Sequence, residues 1–158
     1  CSAFTASDSV RLVLKSYEGD NPGSAVRQRV DDIAKRYRKH DQPRIDVLSC
    51  SLSDAQMAEF YGSLSCYVSA HRGEGWGLPI REALMAGRPS IATDAVPAAT
   101  GSPYATIVPA GDEAALSAAI HEWWESDAPE RLSEKIAREF APRSWSDVAA
   151  EVAAQLES

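Results

Sequence analysis

The sequence predicts an α/β domain built as a doubly wound parallel sheet with helices on both faces. Short aliphatic runs alternate along the chain with longer segments whose apolar residues recur at helical spacing. Strands that alternate with helices pair in parallel through right-handed crossovers, and the crossing helices then cover both faces of the sheet. The length of 158 residues fits one such domain.

Five β-branched and aliphatic runs, bounded by glycine, proline and polar residues, predict the strands in chain order. They are Val10–Lys15, Arg44–Ser49, Cys66–Ala70, Arg88–Thr93 and Ala105–Pro109. In a parallel sheet of this kind ligands bind beyond the carboxyl ends of the strands, so the loops that follow these runs are the candidate functional segments.

The helices between the strands are predicted from their apolar spacing and end signals. The first begins near Ser24, after a glycine- and proline-containing loop over residues 16–23. Ser53 followed by Gln56 is a capping box for the second helix, whose buried stripe is Met57, Phe60, Tyr61 and Leu64.

The remaining helices follow the same signals. Asp112 caps a helix with the apolar stripe Leu116, Ala119, Ile120, Trp123 and Trp124. A further helix is expected from Pro129 to about Phe140. The last spans Ser144–Leu156, capped by Ser144 or Ser146.

Charge and composition exclude several classes of function. The net charge of −7 argues against nucleic-acid binding, which needs clustered lysine and arginine. No apolar run of about 18 residues is present to span a membrane. The three cysteines, Cys1, Cys50 and Cys66, are far apart and no zinc-ligand spacing occurs, so we expect no metal and a reducing, cytoplasmic setting.

Because the chain lacks an initiator methionine and a signal peptide, we expect residues 1–158 to be one domain of a larger protein.

The segment 69–87 carries the strongest functional signal. It joins a strand end, a turn with Gly73, Gly75 and Gly77, and a helix with Pro79 in its first turn and Gly87 just past its end. Glycines allow the backbone to approach a ligand closely, and the first N–H groups of the helix, near Gly77 and Leu78, favour an anion such as a diphosphate.

Two carboxylates accompany this turn, Glu74 within it and Glu82 about one turn into the helix that follows, eight positions later. Helical spacing directs Ile80 and Leu84 away from Glu82, which faces either solvent or the cleft. Carboxylates accept hydrogen bonds from paired hydroxyls well, so the pair suits a sugar and a ribose. The alternative is structural: acidic residues near a helix start are favoured by the helix dipole alone, and alternating glycines can form a plain tight turn.

The run from Glu74 to Thr93, Glu-Gly-Trp-Gly-Leu-Pro-Ile-Arg-Glu-Ala-Leu-Met-Ala-Gly-Arg-Pro-Ser-Ile-Ala-Thr, closely resembles the Glu-x7-Glu region of glycosyltransferase family 4, also called the group 1 glycosyltransferases. The likeness extends to Leu52–Tyr61 before the motif, and to Ile107-Val-Pro, the helix from Asp112 and the Trp145 region after it. The resemblance implies a Rossmann-like domain that forms the C-terminal, donor-binding half of a GT-B enzyme.

The resemblance also implies the chemistry. Such enzymes transfer a sugar from a nucleotide-diphosphate sugar to an acceptor with retention of configuration, without a required metal or other cofactor. By position, Glu74 would bind and act on the donor sugar, and the backbone of Gly75, Trp76, Gly77 and Leu78 would meet the sugar and the diphosphate. Glu82 would bind the ribose. The loop around Ser49 and Ser51 would lie near the base.

The chain departs from the family pattern in some places. The family's phosphate-binding arginine and lysine precede the first residue here, and Lys15 ends the first strand where many members have glycine. Lys15, His71 and Arg72 are further candidates for ligand contact, whereas Arg81 replaces a more common apolar residue and is expected to be exposed.

The implied partners are a nucleotide sugar and an N-terminal acceptor-binding domain of the same enzyme, which could associate with a membrane through that missing half. Without that half, the isolated chain is expected to transfer sugar inefficiently. A polysaccharide or cell-wall product follows only by family analogy. Two alternatives stay open: a nucleotide-sugar-binding module without transferase activity, or a GT-B relative such as an epimerase or a phosphorylase.

Overall fold

The structure is a computed structural model that describes residues 4–16, 24–36, 42–142 and 144–156. Most of the loop predicted over 16–23 lies outside these ranges. Within them, the first four strands alternate with three helices, the fifth strand follows the fourth without a helix between them, and three helices come last. The strands are β1 (Arg11–Lys15), β2 (Arg44–Leu48), β3 (Tyr67–Ser69), β4 (Ser90–Thr93) and β5 (Ala105–Val108). The helices are α1 (Ser24–Arg36), α2 (Asp54–Gly62), α3 (Leu78–Met85), α4 (Glu113–Glu125), α5 (Ala128–Glu139) and α6 (Trp145–Leu156).

All strand pairs in the described residues are parallel. β1 pairs with β2, and β4 lies between β3 and β5. The parallel pairing confirms the prediction from the alternation of strands and helices. The strands form two hydrogen-bonded groups, β1–β2 and β3–β4–β5, rather than one continuous ladder.

Strand β4 forms the centre of the core. All four of its residues, Ser-Ile-Ala-Thr, are buried, so the strand is covered on both faces. Ile91 belongs to a cluster with Trp123 of α4, whereas its neighbour Ala92 belongs to a cluster with Ile80 and Leu84 of α3. Because adjacent strand residues point to opposite faces, α3 and α4 lie on opposite sides of the sheet. The doubly wound architecture is therefore present.

Helix ends agree with the sequence signals. The Ser53 side chain accepts a hydrogen bond from the Gln56 backbone N–H, and the Gln56 side chain accepts one from the Ser53 N–H, which completes the capping box. Asp112 accepts from the N–H of Ala115 at the start of α4. Of the two serines predicted to cap α6, Ser144 does so, since its hydroxyl accepts from the N–H of Asp147.

One member of the predicted α4 stripe is placed differently. Trp124 is 42% exposed. Its ring meets the ring of Phe4 edge to face at 5.4 Å, and Phe4 also stacks on His121. The helix therefore packs through Ala119 and Trp123, and Trp124 covers the segment that precedes β1. No helix in the described ranges is both long and apolar enough to cross a membrane.

The two described cysteines differ in environment, and this generates a test of the fold. Cys50 is exposed, whereas burial raises the pKa of the Cys66 thiol to about 11. At a pH of about 8 such a thiol is only about 0.1% thiolate, the reactive form. In a Cys1→Ser background, we expect iodoacetamide to alkylate Cys50 at least about tenfold faster than Cys66. Peptide mass spectrometry against time measures both rates, and equal rates would contradict the described packing around β3.

Candidate functional site

The glycine turn lies at the carboxyl edge of β3 and β4, where the sequence predicts the site. It runs from the end of β3 to the start of α3, so it projects beyond the sheet next to the loop that leaves β4. In parallel α/β sheets this edge is where ligands bind, because the loops that follow the strands converge there.

Gly77 anchors the turn at the start of α3. Its φ of 92° is left-handed, which favours glycine. A side-chain carbon added there would lie 2.7 Å from Cγ1 of Val96 and 3.2 Å from Cβ of Ala98. The N–H of Ala98 donates to the carbonyl of Trp76 at 2.9 Å. The turn is therefore held closely against the loop that follows β4.

The buried and exposed residues of helix α3 are those that helical spacing predicts. Ile80 and Leu84 are buried, at 1% and 3% exposure, and Glu82 is exposed on another face. Gly87, with a left-handed φ of 76°, ends the helix, and its N–H donates to the carbonyl of Leu84. At the start of α3, Pro79 has no N–H, and the N–H groups of Ile80 and Arg81 donate to the carbonyl of Gly77 at 3.0 Å and 3.4 Å.

Glu82 is held by a tyrosine from the preceding helix. The Tyr61 hydroxyl of α2 donates to Oε2 of Glu82 at 2.8 Å. Tyr61 is only 5% exposed. Burial, the hydrogen bond and the negative charge of Glu82 together raise the pKa of Tyr61 far above its ordinary value. One carboxylate oxygen of Glu82 is thus fixed by the protein.

Glu74 lies within a second polar group on the turn. Its Oε1 accepts from the N–H of Gly75 at 3.1 Å, and its Oε2 is 3.7 Å from Nε2 of His71, an ion pair when His71 is protonated. His71 Nδ1 shares a hydrogen bond of 2.8 Å with the buried Ser69 hydroxyl. The His71 carbonyl accepts from Thr93 at the end of β4. Both strand ends therefore contribute to placing Glu74.

The pKa of the Tyr67 hydroxyl, on β3, is affected by both carboxylates. Burial is the main cause that raises the pKa of its hydroxyl, and the charges of Glu74 and Glu82 raise it further. The Tyr67 ring also meets the Tyr61 ring at 5.9 Å. The charges of the two glutamates, eight residues apart in sequence, therefore both raise the pKa of one partly buried phenol.

The exposed side chains of the turn are apolar or cationic. Trp76 and Leu78 are 55% and 61% exposed. Arg81 was expected to be exposed, but its guanidinium lies over the rings of Trp76 and Phe140, at 5.7 Å and 5.4 Å from their centres. The aromatic ring that follows α5 thus holds Arg81 by cation–π contact. Arg72 stays exposed on the turn.

Other predicted contacts are not brought to the turn. Lys15 donates to the carbonyl of Ser16 at the end of β1, and Ser51 is exposed. The Ser49 hydroxyl is buried and has no hydrogen-bond partner among the described residues. Within the described ranges, no hydrogen bond or ion pair joins these three residues to the glycine turn, and no cluster of His, Cys, Asp or Glu is arranged to hold a metal ion.

Sequence reasoning missed the polar partners of the two carboxylates. Tyr61 was assigned to the apolar stripe of α2 and is indeed buried, but its hydroxyl contact with Glu82 joins residues 21 positions apart. The available signal was that a buried tyrosine hydroxyl needs a partner. Which residue supplies that partner depends on how α2 packs on α3.

The fold and the site define a parallel α/β domain with a glycine turn and two carboxylates at its carboxyl edge. The family model described as "Glycosyl transferases group 1" matches residues 9–126, well over half of the chain. The chain belongs to the group 1 glycosyl transferases, and it is a glycosyltransferase domain. The resemblance expected from the Glu74–Thr93 run is confirmed.

A solved structure supports the same fold. The chain is similar to sucrose-phosphate synthase from Thermosynechococcus elongatus with a TM-score of 0.65 and 20% sequence identity. The match covers 92% of this chain and 37% of that protein's chain, so this chain spans well under half of its length. The likeness confirms the predicted α/β fold class of a GT-B half. No curated protein matches the chain.

The first prediction from this geometry concerns Gly77. Gly77→Ala forces a left-handed alanine and a collision with Val96, so we expect the free energy of unfolding to fall by about 2–4 kcal/mol. Gly75→Ala is the matched control, because an added carbon there meets nothing within 4 Å. Urea unfolding followed by circular dichroism measures both. Equal losses in the two variants would contradict the described contact with Val96.

The second prediction concerns the raised pKa of Tyr61, which burial causes first and the hydrogen bond to Glu82 second. Folded Tyr61 keeps its proton above pH 10, where an unfolded tyrosine with an ordinary pKa of 10.0 loses it. The unfolded state then binds fewer protons, so the unfolding free energy falls as pH rises above about 10 and is unaffected by this group at lower pH. Tyr61→Phe removes this contribution, and its stability should fall less steeply. Urea unfolding at pH values of about 8, 10 and 11 compares the slopes, and identical slopes would refute the assignment.

Proposed function

We propose that the chain is the donor-binding domain of a retaining glycosyltransferase that takes a sugar from a nucleotide-diphosphate sugar. The observation that carries the proposal is that Glu74 lies in the glycine turn between β3 and α3, at the carboxyl edge of the sheet, while Glu82 lies in α3 and is held by the Tyr61 hydroxyl. Family membership supplies the reaction class, glycosyl transfer.

Glu82 is assigned to the ribose hydroxyls. Its Oε2 is occupied by Tyr61, which leaves Oε1 to accept hydrogen bonds from a ligand. Ribose presents two adjacent hydroxyls, and carboxylates bind such pairs in nucleotide sites. The exposure of Glu82 on α3 makes this oxygen accessible.

Glu74 is assigned to the transferred sugar and is the proposed catalytic residue. It lies in the turn that precedes α3, and its carboxylate faces His71. The backbone of residues 75–78 leads into the N-terminus of α3, whose dipole favours the diphosphate. Arg72 and a protonated His71 would add positive charge near the same anion.

The proposed reaction needs no nucleophile from the protein. The acceptor hydroxyl forms a bond to the anomeric carbon as the bond from that carbon to the diphosphate oxygen breaks. The acceptor proton passes to the departing diphosphate oxygen on the same face, which retains the configuration. The domain contributes orientation of the sugar and stabilisation of the diphosphate charge.

The acceptor is proposed to bind elsewhere in the enzyme. This chain spans only 37% of the sucrose-phosphate synthase chain that it matches. An N-terminal acceptor-binding domain would supply the missing surface and close a cleft over the glycine turn. The isolated chain would then bind the donor but transfer sugar inefficiently.

Calorimetric titration with UDP, GDP and ADP, and with their sugar conjugates, tests the proposal. We expect at least one to bind the wild-type chain at micromolar to millimolar concentration. Glu82→Ala should weaken that binding about 10- to 100-fold, because it removes a hydrogen bond to a charged group. Glu122→Ala, on the exposed face of α4, is the matched control and should bind as wild type. If no nucleotide or sugar nucleotide binds even at millimolar concentration, the donor-site proposal is overturned.

A further inference from the structure

The hydrogen bond between Tyr61 and Glu82 fixes the orientation of an exposed carboxylate. Tyr61 is buried and Glu82 is exposed, yet the tyrosine hydroxyl donates to the carboxylate at 2.8 Å across two helices. A carboxylate on an exposed helix face is well hydrated and needs no protein donor. The contact therefore orients the Glu82 carboxylate, which could obtain its hydrogen bonds from water without Tyr61.

Tyr61 is itself well placed to act as a fixed donor. Its ring packs edge to face against Phe60 and Tyr67, at 5.6 Å and 5.9 Å between ring centres. The helix that carries it begins at the Ser53 capping box. The phenol hydroxyl therefore has a defined position, whereas a free glutamate would sample many side-chain rotamers.

We propose that Tyr61 is a positioning residue that holds one oxygen of Glu82 so that the other accepts a hydrogen bond from ribose. This inference rests on the proposed donor site and deepens it. Tyr61 does not contact the ligand and acts through Glu82 alone. It makes the domain selective for a ribonucleoside diphosphate over a nucleoside diphosphate that lacks both ribose hydroxyls.

The physical reason is preorganisation. A glutamate that is already oriented loses less side-chain entropy when it binds a hydroxyl, so more of the hydrogen-bond energy remains as affinity. The gain exists only for ligands that have the hydroxyl. A loss of affinity for the ribonucleotide alone therefore distinguishes a positioning role of Tyr61 from a general loss of stability.

The test compares two ligands on the full chain. Whichever of UDP, GDP and ADP binds most tightly is titrated beside its 2′,3′-dideoxy counterpart. Wild type should prefer the ribonucleotide by about tenfold or more. In Tyr61→Phe, affinity for the ribonucleotide should fall by about three- to tenfold, while affinity for the dideoxy compound stays within about twofold.

Two further variants test whether Tyr61 acts through Glu82. In a Glu82→Ala background, adding Tyr61→Phe should leave the preference for ribose unchanged, since Tyr61 acts through the Glu82 side chain. Tyr104→Phe is the matched control: it removes another buried tyrosine hydroxyl and should bind both ligands as wild type. If Tyr61→Phe does not fold, Tyr61→Met gives the same test, because it also removes the hydroxyl and leaves the Glu82 side chain unchanged. The preference for ribose must then fall as it would in Tyr61→Phe.

The outcomes separate the two proposals. If wild type binds none of the three diphosphates, the donor site itself fails and this inference fails with it. If wild type binds and prefers ribose, but Tyr61→Phe keeps that preference, only the positioning role is refuted. An equal loss for both ligands in Tyr61→Phe also refutes it, because the tyrosine then serves the fold alone.

Discussion

Gly77 lies where any side chain would collide with Val96, and the rest of the candidate site is built from this close approach. The contact places the glycine turn against the loop that follows β4 and sets where α3 begins. Once that start is fixed, Ile80 and Leu84 enter the core and Glu82 emerges on the opposite side. A left-handed residue at this position therefore determines the direction of a carboxylate five residues later.

The two glutamates are held by different means, which suits different tasks. Glu82 lies on a helix packed into the core and receives a hydrogen bond from the buried Tyr61. Glu74 lies in a turn and is held by the backbone of Gly75 and by His71, whose own ring is bound by Ser69. The proposed roles follow this difference, with the rigid carboxylate of Glu82 assigned to ribose and the turn residue Glu74 to the sugar.

Arg81 illustrates how a departure from the family pattern is accommodated. The sequence suggested a solvent-exposed cation, but Trp76 and Phe140 lie on its guanidinium at 5.7 Å and 5.4 Å. The contact links the glycine turn to the segment after α5. Tryptophan provides a better face for a cation than the smaller ring of phenylalanine.

The sequence by itself determined the α/β class, the order of the elements, the capping of α2 by Ser53 and the family, because these depend on local spacing and on the Glu74–Thr93 run. It also separated the buried and exposed faces of α3. Only the tertiary structure decided that Tyr61 donates to Glu82, that His71 faces Glu74, and that Lys15, Ser49 and Ser51 have no described contact with the turn. Those relations join residues on different elements, so they depend on how helices pack on strands rather than on any pattern along the chain.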